Sequence, residues 1–130
     1  MYAKTTHSIR VTVEPQFLED QSVPDENQYI WVYHIRIENQ GTLPVQLKAR
    51  QWEITDGKGQ QVSIYGEGVV GEQPTLDPGE AFEYTSGVPL STPSGIMRGS
   101  YKMINEIGDA FEVEIPAFSL DSPYENVILN

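Results

Sequence analysis

The chain has 130 residues and a formal net charge of −11 at pH 7, with 8 Lys and Arg against 19 Asp and Glu, and it has no cysteine. A domain of this size buries roughly two-thirds of the surface that its unfolded chain exposes, so it needs no disulfide or metal to fold. The missing cysteine excludes a disulfide framework, thiolate zinc sites and a thiol nucleophile. The negative charge argues against direct binding to nucleic acid or to an anionic membrane, because such proteins neutralise phosphates with Lys and Arg.

The N-terminal segment lacks an apolar core, and the longest apolar run in the chain is residues 29–33. This run is too short for a signal peptide or a membrane span. We therefore expect a cytoplasmic protein that forms one domain over residues 1–130. The tail of residues 121–130 is expected to dock loosely on that domain or to fray.

Apolar and polar residues alternate with a period of two along much of the chain, and no eleven-residue window carries a clean apolar stripe at helical spacing. The first strand is predicted near residues 7–15, and a polar loop separates it from a second strand near 29–39. One face of the second strand is predicted to be the centre of the core. The residues on that face are Tyr29, Trp31, Tyr33, Ile35 and Ile37.

A third strand begins near Val45, and the residues expected to face inward change parity before Trp52. This change predicts a β-bulge near Arg50 and Gln51. The sequence Asp-Gly-Lys-Gly at residues 56–59 then predicts a hairpin turn.

Four further strands complete the prediction. A short fourth strand carries Val62 and Ile64, and a type II turn at residues 77–80 leads into the fifth. The sixth strand follows Pro93, and Pro116 is expected to end the seventh. About seven short strands with turns between them predict an all-β fold, an antiparallel sandwich of the immunoglobulin-like or fibronectin type III-like kind.

The segment 66–71 reads Gly-Glu-Gly-Val-Val-Gly, a GxGxxG pattern typical of dinucleotide binding. That motif works at a strand-to-helix junction, because the helix N-terminus holds the pyrophosphate. Here Pro74 and Pro78 follow the pattern, and proline is excluded from a helix interior. We therefore interpret the glycines as residues that permit positive φ in a tight loop. An anion could still bind the N–H groups of such a loop, but Glu67 and Glu72 flank it with like charge.

Other candidate chemistries lack converging groups. The acids near the glycines could offer oxygen ligands to Mg²⁺ or Ca²⁺, although their spacing matches no recognised cation loop; they are Glu67, Glu72, Asp77 and Glu80. A transition-metal site would need His7 and His34 to meet a carboxylate, and His34 is expected on the outer face of its strand. Glu112 and Glu114 share a sheet face at roughly 7 Å along the strand, a separation that the carboxylates of glycosidases also use, but here we interpret them as the polar outer face of a sheet.

Hydrolysis by a serine nucleophile is also disfavoured. No GxSxG segment is present, and neither histidine has an obvious serine partner. We predict no catalytic residues, no metal site and no cofactor.

Several segments resemble the ApaG family, also called CorD. They are residues 45–47, 50–56, 66–74, 76–80, 84–87 and 99–103. The match extends over nearly the whole chain, and its Gly-Val-Val-Gly-Glu-Gln-Pro segment is highly specific. Many relatives carry His before the tryptophan, where this chain has Gln51, and this departure weakens any metal or acid–base role for that position.

The resemblance implies a fibronectin-type sandwich in a bacterial cytoplasmic protein whose molecular activity is unsettled. Family members are linked by gene neighbourhood to diadenosine polyphosphate hydrolysis and by phenotype to cobalt and magnesium homeostasis. Related eukaryotic domains, in F-box proteins and in a DNA-polymerase-interacting protein, look like protein-binding modules.

We therefore expect a non-catalytic module that presents loops and edge strands to another protein. The candidate binding loop consists of Gly66, Glu67, Gly68, Val69, Val70, Gly71, Glu72, Gln73 and Pro74. Loops on a rigid scaffold often carry recognition, and the resemblance is densest in this loop. Val69 and Val70 are expected either to tuck into the rim of the core or to face the partner. The alternative is a small-ligand binder, either of a nucleotide or polyphosphate with Mg²⁺ or of a divalent cation such as Mg²⁺ or Co²⁺.

Overall fold

The alternating pattern of the sequence becomes β-strand along most of the chain. The computed structural model describes residues 1–124, which form nine strands and two 3-10 turns. The strands are β1 (Tyr2–Thr6), β2 (Ile9–Phe17), β3 (Tyr29–Asn39), β4 (Val45–Asp56), β5 (Gln61–Glu67), β6 (Thr75–Leu76), β7 (Ala81–Leu90), β8 (Ser94–Asn105) and β9 (Ala110–Asp121). The 3-10 turns, Glu19–Gln21 and Pro24–Glu26, lie in the polar loop between β2 and β3.

The strands form two antiparallel sheets that pack face to face. Sheet 1 has the order β1-β2-β3-β7, and sheet 2 has the order β5-β4-β8-β9 with the short β6 beside β4. The predicted all-β sandwich is therefore confirmed, with more strands than the seven expected because β1 and β6 were not predicted. Within residues 1–124, no helix combines the length and the apolar character needed to cross a membrane.

Strand β3 is the centre of the core, as its sequence predicted. Its inward residues are at most 6% exposed, and they are Tyr29, Trp31, Tyr33, Ile35 and Ile37. The ring of Tyr33 packs against sheet 2, with centroid distances of 5.3 Å to Trp52 and 5.9 Å to Phe118. Both sheets therefore contribute aromatic rings to one continuous core.

The prediction of a first strand near residues 7–15 is wrong at its start, because β2 begins at Ile9. A hairpin joins β1 to β2 through His7 and Ser8, with Thr6 opposite Ile9. The φ angles of His7 and Ser8 are 50° and 64°, which is the positive-φ pair of a type I′ turn. Such turns usually carry Asn-Gly or a similar pair, so the His-Ser sequence gave no turn signal and β1 was missed.

The predicted bulge in β4 exists but lies earlier in the strand. The pairing of β4 with β8 shifts between Leu47 and Ala49, which places the extra residue at Lys48 and not near Arg50 and Gln51.

The predicted end of the last strand at Pro116 is wrong, since β9 continues to Asp121. The pairing of β8 with β9 shifts between Met97 and Gly99, and Pro116 lies opposite this irregularity. A bulge leaves a residue outside the hydrogen-bonded ladder, so a proline without an N–H is accepted there.

The two long sides of the sandwich differ. On one side β1 lies against β9, where Lys4 forms an ion pair with Glu114 and the ring of Tyr2 lies 6.1 Å from that of Phe118. On the other side β5 and β7 are the outer strands, and within residues 1–124 β5 pairs with β4 alone. We call this second side the open side.

Part of the predicted loose tail is docked. Asp121 ends β9, the Ser122 N–H donates to the carbonyl of Pro93 at 2.9 Å, and the ring of Tyr124 packs 6.1 Å from both Phe17 and Tyr29. The rest of that prediction, residues 125–130, lies outside the described residues.

Candidate functional site

The candidate loop folds around a two-residue hairpin turn. The Val69 N–H donates to the Glu72 carbonyl at 2.8 Å, and the Glu72 N–H donates back to the Val69 carbonyl at 2.9 Å. The residues between them, Val70 and Gly71, have φ angles of 43° and 81°, as a type I′ turn requires. Gly71 adopts this conformation without strain, whereas a β-branched residue such as Val70 is rarely found there.

The middle glycine is required by contact as well as by conformation. Gly68 has φ of 64° and donates its N–H to the Lys48 carbonyl at 2.9 Å. A Cβ at this position would lie 2.2 Å from the carbonyl oxygen of Glu72. No side chain fits at position 68 unless the hairpin turn moves.

The first glycine makes room for an arginine that holds the loop. Arg50 of β4 lies opposite Gly66 of β5, and a Cβ at position 66 would lie 2.8 Å from the guanidinium carbon. The Arg50 Nη1 donates to the carbonyls of Glu67 at 3.1 Å and Gly68 at 2.8 Å. Sequence reasoning missed this role of Arg50.

The end of the loop is fastened to β4. The Gln73 side-chain amide donates to the Lys48 carbonyl at 2.9 Å, and the Gln46 amide donates to the Gln73 carbonyl at 3.1 Å. The Leu47 N–H donates to the Pro74 carbonyl at 3.0 Å. The loop is therefore held at both ends and has one well-defined shape.

The two valines of the loop differ in their exposure to solvent. Val69 is fully buried in the core, and Gly68 is also buried. Val70 is 57% exposed at the tip of the hairpin. The exposed surface of the loop comes from Glu67, Val70, Gly71, Glu72 and Gln73.

The loop does not have the geometry of a phosphate cradle. Among the described residues 66–79 no helix begins, so the GxGxxG pattern lacks the helix N-terminus of the dinucleotide fold. The N–H groups of Gly68, Val69 and Glu72 already donate to protein carbonyls. An anion would have to displace these bonds and approach Glu67 and Glu72.

The acids and histidines of the candidate metal sites stay apart. In the part of the chain that the structure describes, no three His, Asp or Glu side chains come together in a way that could hold a metal ion. His7 lies in the β1–β2 turn and packs edge-on against Phe111 at 5.5 Å.

His34 lies on the outer face of sheet 1, as predicted, but it has a hydroxyl partner that sequence reasoning missed. Its Nδ1 lies 2.9 Å from Thr85 Oγ1 and its Nε2 lies 2.8 Å from Glu83 Oε1. The hydrogen bond from His34 lowers the pKa of Glu83. The His34 and Glu83 side chains are 43% and 50% exposed on an open sheet surface. Water therefore surrounds Thr85, His34 and Glu83. Catalytic groups act best in a preorganised site from which water is excluded, and this surface does not provide one.

Of the eight lysines and arginines, all within residues 1–124, three form ion pairs with carboxylates of that range, namely Lys4, Arg36 and Arg98. Arg98 of β8 pairs with Glu53 of β4, and its Nη2 lies 3.3 Å from Glu53 Oε1. Arg36 lies 3.2 Å from Glu83 and 3.6 Å from Glu38. Such exposed pairs contribute little to stability, because water screens the two charges.

A tyrosine pair joins the two sheets beneath the open side. The hydroxyls of Tyr84 in β7 and Tyr101 in β8 are 2.5 Å apart, and the two residues are 7% and 0% exposed. Burial raises the pKa of Tyr84 and of Tyr101 well above the ordinary tyrosine value. Burial also raises the pKa of the nearby Tyr33. These phenols are neutral hydrogen-bonding groups of the core.

An apolar cleft of about 380 Å³ opens between β5 and β7. Its lining combines core residues with exposed residues of β5, and includes Tyr33, Trp52, Ile54, Val62, Ile64, Val88, Leu90 and Met97. Val62 and Ile64 are 57% and 41% exposed. The alternation of these two residues predicted a strand, but only the position of β7 reveals that sheet 1 leaves them uncovered.

Comparison with known proteins agrees with this architecture. Residues 19–105 match the model of the ApaG domain. The chain is 60% identical over 124 residues to the ApaG protein of Rhodospirillum centenum, covering 95% of each chain, and 57% identical over 130 residues to that of Parvibaculum lavamentivorans, covering 100% of each. The crystal structure of a Bordetella pertussis protein named ApaA is 47% identical, with a TM-score of 0.87 over 92% of this chain and 97% of that one. The chain therefore belongs to the ApaG family.

Proposed function

We propose that this chain is a non-catalytic protein-binding module whose partner, another protein, contacts the tip of the 66–74 loop. The observation that supports the proposal is Val70, an exposed apolar residue held at positive φ on a loop fastened to the sheet. We place the module in the cytoplasm, a reducing compartment that suits a chain without cysteine.

A valine at position 70 lowers the stability of the folded chain. Left-handed backbone costs a residue other than glycine about 1–2 kcal/mol, and the exposed side chain recovers little of that cost by burial. Asn or Gly would suit this turn position better. Strained residues of this kind cluster at recognition and active sites.

The hydrogen bonds that hold the loop against the sheet also favour binding of a partner. Arg50, Gln46 and Gln73 fix its backbone through hydrogen bonds to carbonyl oxygens. A partner that binds the tip therefore does not have to order the loop first, which removes one cost of association.

The test is Val70→Asn, a substitution that separates folding from binding. We expect the free energy of unfolding in urea to rise by about 1 kcal/mol, because Asn-Gly is a preferred type I′ pair. Capture of the partner from an extract of the native cell, measured by quantitative mass spectrometry, should fall at least tenfold. Ile107→Asn is the matched control, since Ile107 is 73% exposed in the turn between β8 and β9.

A partner that binds Val70→Asn as well as it binds the unaltered chain would contradict the proposal. Equal loss of capture with Ile107→Asn would also contradict it, because the effect would not then be specific to the loop tip.

The non-catalytic part of the proposal is supported by the placement of the chemically competent groups. Thr85, His34 and Glu83 are hydrogen-bonded in series, but they lie on the outer face of sheet 1 and not in the cleft. The cleft is lined mainly by apolar side chains, with Asp56, Gln60 and Ser91 at one end.

Binding of a small ligand is the second candidate, and the open-side cleft is the observation that favours it. Its volume of about 380 Å³ falls in the range of small-molecule sites. Its apolar lining suits an apolar ligand better than a polyphosphate or a hydrated cation. A thermal-shift panel of ATP, diadenosine polyphosphate, pyrophosphate, Mg²⁺ and Co²⁺ tests the polyphosphate and the cation, since a ligand at a hundred times its dissociation constant adds about 2.7 kcal/mol.

A further inference from the structure

The four outer strands of the two sheets differ in how they are protected against pairing with another chain. Natural edge strands carry charges, prolines or bulges, or are covered by other elements. Strand β1 has five residues and lies against β9 through Lys4, and β9 carries the Pro116 bulge. Strand β7 carries Glu83 and Pro89. Each of these three edges therefore has a device that discourages pairing.

Strand β5 has none of these devices along most of its length. Its residues 61–66 read Gln-Val-Ser-Ile-Tyr-Gly, with no charge and no proline. Val62, Ile64 and Tyr65 are 57%, 41% and 61% exposed. In a molecule with a net charge of −11, this stretch adds no charge of its own that would repel a second copy.

The hydrogen-bonding pattern identifies the groups that β5 offers at its free edge. The Gly68 N–H donates to Lys48 and the Asp56 N–H donates to Gln60, so the even-numbered residues of β5 point their backbone groups at β4. By alternation, Gln61, Ser63 and Tyr65 point their N–H and C=O groups away from β4.

We propose that β5 pairs antiparallel with β5 of a second copy of this chain, with the twofold axis at Ser63. In this register Ser63 faces Ser63 of the other copy, and Gln61 faces Tyr65. Gln61, Ser63 and Tyr65, three of the four outward-pointing residues of β5, are then used in about six backbone hydrogen bonds.

The same register matches side chains and charges. Val62 of each copy faces Ile64 of the other across a non-hydrogen-bonded pair, where side chains approach most closely. Glu67, at the end of β5, comes beside Lys58 of the other copy, in the turn before β5. Opposite charges therefore meet at both ends of an uncharged strand pair, and a twofold axis repeats every contact.

Two cysteine variants test the register, because the chain has no cysteine of its own. Ser63→Cys places two thiols in directly opposed positions, where a disulfide can form. Gln61→Cys, on the same face of the same strand, separates the two thiols by four residues, or roughly 14 Å along the strands. Under mild oxidation of the purified protein, we expect the Ser63→Cys chain to form covalent dimers at least tenfold faster.

Sedimentation velocity over a concentration series tests the association itself. We expect the unaltered chain to dimerise reversibly, Ile64→Lys to raise the dissociation constant at least tenfold, and Ile107→Lys to leave it unchanged. A monomer at every concentration, or crosslinking of Gln61→Cys as fast as Ser63→Cys, would overturn the proposal. Both measurements use the purified chain alone, so their outcome is independent of partner binding at Val70.

Discussion

The three glycines of the GxGxxG pattern serve three separate purposes in this fold. Gly66 leaves space for the Arg50 guanidinium, Gly68 avoids the Glu72 carbonyl, and Gly71 takes the second position of a type I′ turn. Each purpose is conformational or steric, and none requires a ligand.

Alanine at position 68 tests this account. We expect Gly68→Ala to lower the free energy of unfolding by roughly 3 kcal/mol or more, because it combines positive φ with a clash against backbone. Gly59→Ala is the control, since Gly59 has φ of 83° but nothing within 4 Å of its would-be Cβ. That variant should lose only about 1–2 kcal/mol, the cost of the left-handed backbone alone. Similar losses in urea melts of the two variants would mean that the contact with Glu72 is not tight.

The sequence of the glycine loop predicted some of its features but not others. The prolines after the glycine pattern were enough to predict a loop there, since their rings exclude a helix interior. The sequence could not place Val69 inside and Val70 outside, because adjacent valines are equivalent until the turn type is known. It could not predict the role of Arg50 either, since that depends on β4 and β5 lying side by side.

Among the elements, β3 was the most predictable. Five inward residues alternate without interruption over an eleven-residue strand, and both sheets pack against them. The β1–β2 hairpin was unpredictable because His7 and Ser8 adopt positive φ without glycine or asparagine. Tertiary pairing with β3 holds β2 in place and so imposes a turn that the local sequence does not favour.

The role of β3 leads to a prediction for Trp31, which is 5% exposed and lies 5.2 Å from the ring of Phe17. We expect Trp31→Ala to cost about 3–5 kcal/mol by leaving a cavity. Val32→Ala, on the opposite face of the same strand, should cost much less. A small loss for Trp31→Ala in urea melts, or equal losses for the two variants, would contradict the assignment of the core face.

At the scale of the whole molecule, the two sheets are joined by the buried Tyr84–Tyr101 hydrogen bond, and its phenols link folding to pH. In the unfolded chain tyrosines ionise near pH 10, whereas burial raises the pKa of both residues in the folded chain. Their contribution to stability is therefore complete below about pH 10 and is lost as the pH rises above it. The loss should approach 1.4 kcal/mol per pH unit for each tyrosine.

Urea melts at and above pH 10 measure this slope. In the double variant Tyr84→Phe and Tyr101→Phe, stability should fall less steeply with pH. The difference in slope should be roughly the loss per pH unit expected of two buried tyrosines. Ionisation of these phenols near pH 10 in the folded protein, followed by ultraviolet absorbance, would contradict their burial.

The sequence by itself determined the class of the fold, the face of β3 that forms the core, the absence of a helix after the glycines and the resemblance to the ApaG family. These follow from local properties, namely the period of two, the fixed dihedrals of proline and the spacing of a specific segment. Only the tertiary structure decided that one side of the sandwich is open, that Val70 is the exposed tip of a fastened loop and that His34 meets Thr85. Each of these depends on which strands lie beside each other, and residues far apart in sequence become neighbours only when both sheets have formed.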